Sequence, residues 1–258
     1  MDFYCGTDTV SWLADERRPP LFVSIRRLRQ IKKWPRATGP WALDSGGFTE
    51  LDKFGGWTIT PHRYAAEASR ARDEIGHLTW AAPQDWMCEP VIRAKTGLTV
   101  AEHQERTIDN WLTLSTLIPG MFIPVLQGWE PDDYLRHLDA YADRGIDLTS
   151  FPTVGLGTVC RRQDTATAAG IVGRLAGHGL ELHGFGIKTT GIAEYGDLLH
   201  SADSMAWSYA ARVRPVRLPG CHHAKCNHCR VWAYQWAERA RRSQPDHSSV
   251  PGLFNWTD

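Results

Sequence analysis

The segment MFIPVLQGWEPDDYLRHLDAYAD, residues 121–143, changes its periodicity halfway along. It opens as a short apolar run that gives way to Gln127-Gly128, the pattern of a buried strand emerging into a loop. Pro131 then suits the first turn of a helix, where its missing N–H costs little. From there Tyr134, Leu135, Leu138 and Tyr141 recur at about helical spacing, with charges between them. A strand, a loop and a helix are read from this one stretch.

The same unit repeats on both sides of it. Apolar runs begin at Phe3 (FYCG), Leu21 (LFVSI), Trp41 (WALDS), Leu78 (LTWAAP), Met121 (MFIPVLQG), Thr149 (TSFPTVGLG), Leu180 (LELHGFGI) and Ser204 (SMAWS). Helix-like segments at 61–74, 100–115, 131–143 and 164–176 lie between many of them. Eight strand candidates alternating with helices in 258 residues predict an α/β fold, a (β/α)8 TIM-type barrel over residues 1–211. Residues 212–258 then form a C-terminal zinc-binding module, a basic helix and a tail. A flavodoxin-like sheet with a small C-terminal module is the other arrangement the pattern admits. Neither GxGxxG nor GxxxxGK[ST] occurs, so dinucleotide and P-loop readings lose their main support.

Composition narrows the class. With 42% hydrophobic and 22% charged residues the chain is too apolar for a disordered segment. No run of about 18 apolar residues is present, so no transmembrane helix is expected. The opening MDFYCGTDTV has neither a basic stretch nor an apolar core of a secretory signal, and the expected setting is cytoplasmic. Lys+Arg and Asp+Glu both number 29, yet the basic residues are uneven. Residues 24–36 hold six Lys/Arg and no acid; residues 212–242 hold eight, with Glu238 the sole acid. Solvated helix faces would carry such charges, but Trp34, Trp232 and Trp236 in the same stretches tilt the reading toward a polyanion-facing surface.

Cysteine usage points the same way. Cys5, Cys88 and Cys160 are scattered, whereas Cys221, Cys226 and Cys229 fall within nine residues, interleaved with His222, His223 and His228. A closed structural zinc site wants four soft ligands in a tetrahedron. Cys221, His223, Cys226 and Cys229 are the first choice, His222 is second for the imidazole and His247 a more distant one. No position looks open to water, so the Zn2+ is structural.

Polar residues cluster at the ends of the apolar strands, where barrel chemistry sits. They are Asp44-Ser45-Gly46-Gly47-Phe48, Gln84-Asp85, Gln127-Gly128, Gly155-Leu156-Gly157, Gly186-Ile187-Lys188 and Asp203-Ser204. One strand-end Asp commonly caps a helix. Three of them, joined by a strand-end Gln and two glycine loops, are less easily all caps. Paired carboxylates suit chemistry at a sugar anomeric carbon, one as nucleophile and one moving protons. Lys188 either holds a phosphate or extends to solvent, and Arg161 and Arg162 are placed similarly.

Asp44-Ser45-Gly46-Gly47-Phe48 resembles the DSGGF motif of the tRNA-guanine transglycosylase superfamily. Asp85, Gln127-Gly128, the 155–157 glycine loop, Asp203-Ser204 and the Cys/His cluster follow in the superfamily's order. The chain looks most like the phage-type branch that places 7-deazaguanine bases in DNA. It departs from the tRNA enzymes at Trp86-Met87-Cys88, at Trp129 and at Trp207-Ser208-Tyr209-Ala210.

The resemblance implies that Asp203 attacks C1′ of a deoxyguanosine and that Asp44 is the general acid/base. Asp85, Gln127 and the Gly157 N–H would bind guanine or its 7-deaza analogue (a preQ0-like base), with Ser45, Gly155 and Lys188 also on the substrate side. It implies DNA as partner, accessory proteins as further candidates, and a phage-encoded enzyme working in a bacterial host. The same chemistry on tRNA, a non-catalytic nucleic-acid-binding barrel and a glycoside hydrolase are the rival readings. The three convergent acids weigh against the silent barrel, and the zinc cluster and basic stretches against the hydrolase.

Overall fold

The computed structural model describes residues 1–159, 165–214 and 216–243. Eight strands are present: β1 (Asp2–Thr7), β2 (Leu21–Ser24), β3 (Trp41–Asp44), β4 (Leu78–Ala81), β5 (Val125–Leu126), β6 (Val154–Leu156), β7 (Leu182–Gly184) and β8 (Ser201–Ser204). All pair in parallel, in the order β4-β3-β2-β1-β8-β7-β6-β5. The helices are α1 (Ile25–Leu28), α2 (Gly47–Phe54), α3 (Pro61–Ile75), α4 (Pro90–Thr96), α5 (Val100–Leu117), α6 (Pro131–Asp143), α7 (Thr165–Ala176), α8 (Thr189–Tyr195), α9 (Ala206–Val213) and α10 (Arg230–Arg242).

The fold is mixed α/β with one curled eight-stranded parallel sheet. Its two edges meet at a single bridge, Ala81 to Phe122. There the Ala81 N–H donates to Met121 O (2.9 Å) and the Ile123 N–H to Ala81 O (3.2 Å). The expected strand number and direction are thus present, while the seam that would complete a barrel is one bridge instead of a ladder. Pro83 and Pro124, one on each side of that seam, supply no N–H with which to extend it.

Local signals set the helices. Thr60 accepts from the Arg63 N–H ahead of Pro61, and Thr99 with Glu102 forms a capping box that starts α5. The 131–143 helix has the limits read from sequence. The strands differ more. The eighth was expected to start at Ser204, but β8 is Ser201–Ser204 and Met205-Ala206-Trp207 turns into α9. The apolar run there serves a helix face, with the Trp207 indole N–H donating to Gly6 O (2.8 Å). In the sixth run, residues 148–150 form a 3-10 turn capped by Asp147, and only Val154–Leu156 are extended.

Strand alternation sorts the core into two layers. Tyr4, Ala42, Trp80, Ala82, Ile123 and Val125, with Phe22 and Phe185 against them, fill the inside of the curl. Their sequence neighbours, such as Phe3, Cys5, Leu21, Trp41 and Leu43, pack outward against the helices. α10 covers β1 through buried Ala233, Trp236, Ala237 and Ala240, with the Phe3 and Trp236 rings 5.7 Å apart. Among the described residues no helix is long and apolar enough to cross a membrane.

Candidate active site and metal cluster

The alternation that points Tyr4 and Ala42 into the curl also points Asp203 and Asp44 there. Tyr4 and Asp203 are register partners, and Asp44 lies two residues beyond Ala42 on β3. Asp44 Oδ1 accepts the Gly46 N–H (3.1 Å). Burial raises its carboxyl above the ordinary range and the nearby Asp203 charge adds to this, against the opposing effects of Gly46, Ser24 and Arg26. Gly46 has φ 75°, and an added Cβ would strike Arg26 Cδ at 2.6 Å, so this turn requires glycine. Arg26 is held there by an ion pair to the buried Glu50, which also accepts the Thr58 N–H (3.0 Å). Ser45 is buried in the same turn.

Asp85 sits on a stretch without regular structure that α5 holds from behind. His103, Thr107 and Asn110 lie on one face of that helix, at i, i+4 and i+7. His103 Nδ1 lies 2.7 Å from Met87 O, Thr107 Oγ1 accepts the Trp86 N–H (2.9 Å), and Asn110 Nδ2 donates to Gln84 O (2.7 Å). Gln84, beside Asp85, turns away and donates to Ile59 O (3.0 Å). Burial pushes the Asp85 carboxyl up to about 7, with the Asp44 and Glu89 charges adding and the Gln127 hydrogen bond opposing.

That shift makes a stability prediction. The folded chain holds this proton more tightly than the unfolded chain, whose Asp titrates near 4. The cost of the charged form is therefore absent below about pH 4, grows between about 4 and 7, and is complete above 7. Asp85→Asn should stabilise the protein at pH 8, by on the order of 2–4 kcal/mol, and give little at pH 4. Melting curves at the two pH values check this; an equal effect at both would refute it.

Gln127 follows β5 and is buried. Its Nε2 donates to Asp85 Oδ2 (2.5 Å) and its Oε1 accepts from Thr158 Oγ1 (2.6 Å). Below it, His137 Nδ1 accepts the Gln127 N–H (2.8 Å) and Gln104 Nε2 donates to Gln127 O (2.7 Å). Burial lowers His137 to about 3, so it stays neutral and serves as this acceptor.

Gly157 was expected to donate to the base, but its N–H is engaged with Leu126 O (3.0 Å). Its role here is clearance. A Cβ would land on the Gln127 amide, 2.6 Å from Cδ. Gly157→Ala should cost about 1–3 kcal/mol by overpacking and displace Gln127 from Asp85. Melting curves check the cost, and an unchanged melting temperature would refute the clearance. Gly155 likewise donates to Pro124 O (2.8 Å), and its missing side chain leaves room for Phe185 and Val125.

Asp203 Oδ1 accepts the Gly186 N–H (2.9 Å) and faces His183 Nε2 at 3.4 Å. His183 is fully buried, with its Nδ1 2.8 Å from Ser201 Oγ and the Trp80 and Phe185 rings against it. Burial keeps its pKa low, against the opposing pull of Asp203. Lys188, by contrast, is exposed at the start of α8. Arg161, Arg162 and His247 lie outside the described residues.

The acids Asp44, Asp85 and Asp203 thus share one end of the curl, where Asp44 senses the Asp203 charge and Asp85 that of Asp44. Sequence reading missed His183, the α5 face and Thr158. A polar stripe on an otherwise apolar helix face was the signal for His103, Thr107 and Asn110. A lone His between Leu182 and Gly184 was the signal for His183.

The metal-ligand set comes together as expected. Single ligand atoms of Cys221, His223, Cys226 and Cys229 all lie within 4.8 Å of one another. Cys221 and Cys229 Sγ are 3.8 Å apart, close to the edge of a tetrahedron with about 2.3 Å zinc–sulfur bonds. His223 Nε2 is 3.1 Å from Cys226 Sγ, which also accepts the Leu218 N–H (3.4 Å). His222 is exposed and outside the group. Desolvation, together with the Cys229 and Cys226 sulfurs, pushes the Cys221 thiol up to about 11. Three sulfurs and one imidazole nitrogen gathered this closely are the soft donors a closed structural site needs, so the set fits Zn2+.

No curated protein matches the chain. Among solved structures, Penicillium canescens endo-1,4-beta-xylanase XylE aligns over 95% of each chain at 9% identity, with a TM-score of 0.40, and that likeness carries no argument about activity. The family comparison is of another order. The model for DpdA, DeoxyPurine in DNA protein A, matches residues 1–257. The chain therefore belongs to the DpdA family, the DNA-guanine transglycosylases of the tRNA-guanine transglycosylase superfamily.

Proposed function

We propose that this protein exchanges guanine in DNA for a 7-deazaguanine base through a covalent deoxyribosyl-Asp203 intermediate. The observation that carries the reading is the convergence of Asp44, Asp85 and Asp203 at one end of the sheet, each in a different environment. Asp203, with Oδ1 taken by Gly186, offers Oδ2 to C1′ of the target nucleotide. The C1′–O bond forms as the bond to the base breaks, and the base leaves with that electron pair.

Asp44, its carboxyl raised above the ordinary range by burial, delivers a proton to the departing base and takes one from the incoming base. Asp85 accepts from the donor edge of either base. Gln127, already bonded to Asp85, fixes its orientation and turns its amide toward the O6 side. Two displacements on one sugar face give retention.

The working scaffold in this reading is a (β/α)8 barrel over residues 1–211, with residues 212–258 as the zinc-binding module. The metal stabilises that module and takes no part in exchange.

Purified protein supplied with radiolabelled guanine and matched DNA and tRNA tests the assignment. Label should enter DNA and not tRNA. Label in tRNA alone would move the substrate to the tRNA reading, and label in neither would overturn exchange by the isolated chain.

A further inference from the structure

α9 has two unlike faces. Trp207 and Ala211 are buried, and the Trp207 ring lies 5.6 Å from that of Trp12. The Trp232 indole N–H donates to Trp207 O (3.1 Å), and Ser208 Oγ donates to Asn227 O (2.7 Å). The helix is thus fixed both to α10 and to the loop of the metal cluster. On its other side Met205, Tyr209 and Val213, at i, i+4 and i+8, are 37%, 62% and 58% exposed. Single exposed apolar residues are ordinary; an aligned row of large ones on a rigid helix marks a surface that meets something.

Position and charge say what. The row starts two residues after Asp203, at the end of the sheet where the acids gather. Trp207 ties it to Gly6, at the same end of β1. The Arg212 guanidinium lies over the Tyr209 ring, 5.6 Å from its centroid. Arg214 and Lys225 are exposed on the connected segments. The sole acid in residues 204–243 is Glu238, and it is paired with Arg241 and Arg242. Asp8 and Asp15 reach His228 and Arg230 of the same region, whereas Arg212, Arg214 and Lys225 have no ion pair among the described residues. An aromatic platform beside such cations suits a nucleic-acid strand, whose bases stack while its phosphates meet the charges.

We infer that the outer face of α9 is the docking platform for the DNA strand beside the target nucleotide. A flanking base stacks on Tyr209, Met205 and Val213 extend the apolar contact, and Arg212, Arg214 and Lys225 meet phosphates. The inference rests on the proposed function in one respect, that the target sugar sits at Asp203.

The test is fluorescence anisotropy with the zinc-loaded full chain and a labelled mixed-sequence single strand, over a salt series. Tyr209→Ala should weaken binding about tenfold with the salt slope unchanged, because stacking releases no counterions. Tyr209→Phe should bind like wild type. Arg212→Ala should weaken binding and lower the slope by about 0.7, the signature of one lost phosphate contact on a single strand. Wild-type protein that ignores the strand, or Tyr209→Ala binding within about twofold of wild type, would overturn the inference. So would a fall from dimer to monomer in light scattering with DNA binding intact, which would give the face to a second copy. Asp203→Asn separates the two readings. If it keeps exchange activity, the catalytic assignment fails, while the Tyr209 binding result still decides the platform.

Discussion

Replacing Asp203 with alanine is expected to lower base exchange in DNA by about 10³-fold or more, as loss of a covalent nucleophile does. The geometry explains why no neighbour substitutes. Oδ1 is committed to the Gly186 N–H and faces His183, so Oδ2 is the oxygen left for attack. Asp44, the acid whose pKa Asp203 helps to raise, is held by its own turn on β3.

Fold damage should be small, because β8 keeps its backbone ladder and the Ile187 N–H still donates to Asp203 O. The Gly186 N–H loses its acceptor, at a cost of about 1–3 kcal/mol. Asp203→Asn restores an acceptor and should melt like wild type while remaining inactive. Matched exchange assays and melting curves on both variants check this. Exchange by either one above about a hundredth of the wild-type rate would remove Asp203 from the nucleophile role.

Loss of the metal is expected to have the largest effect on stability. Cys226 is fully buried, and Cys229 is the residue from which α10 starts. α10 in turn covers β1, the central strand of the sheet order. Disordering the cluster therefore loosens a helix that buries Phe3 and Trp236. Cys226→Ser, or chelation, should cost on the order of 5 kcal/mol or more, since closed zinc sites contribute their binding free energy to folding. One zinc per chain should accompany the wild-type protein, and zinc should restore the melting temperature after chelation. Metal-free protein with an unchanged melting curve would show that the four ligands hold nothing together.

Features written in neighbouring residues were legible. Pro131 and the Tyr134/Leu138/Tyr141 spacing marked α6 to its limits. The four metal ligands span nine residues, so their spacing alone brings them together. What depends on tertiary contact was not legible. Met205-Ala206-Trp207 is as apolar as a strand, yet it leads into α9, whose buried Trp207 donates to Gly6 O. The Gly157 N–H donates to Leu126 O and its missing side chain leaves room for Gln127, and neither contact is written in the neighbouring residues. A closed (β/α)8 barrel requires a ladder between β4 and β5, yet Pro83 and Pro124 supply no donors to it and one bridge stands there. For the acids, order along the chain matched order around the sheet, which is why the cluster was legible and its hydrogen bonds were not.

The place of β1 has a consequence for how the molecule is made. β1 pairs with β2 on one side and with β8 on the other, so its ladder spans nearly two hundred residues of sequence. During synthesis β1 and β2 leave the ribosome long before β8, and contacts this distant in sequence form slowly. Asp44 and Asp85 emerge early, and Asp203 arrives only with the strand that completes the sheet around β1. On the mechanism proposed above, an unfinished chain therefore holds the acid and the base-reading groups but not the nucleophile, and could not cut a base from DNA before the fold is complete.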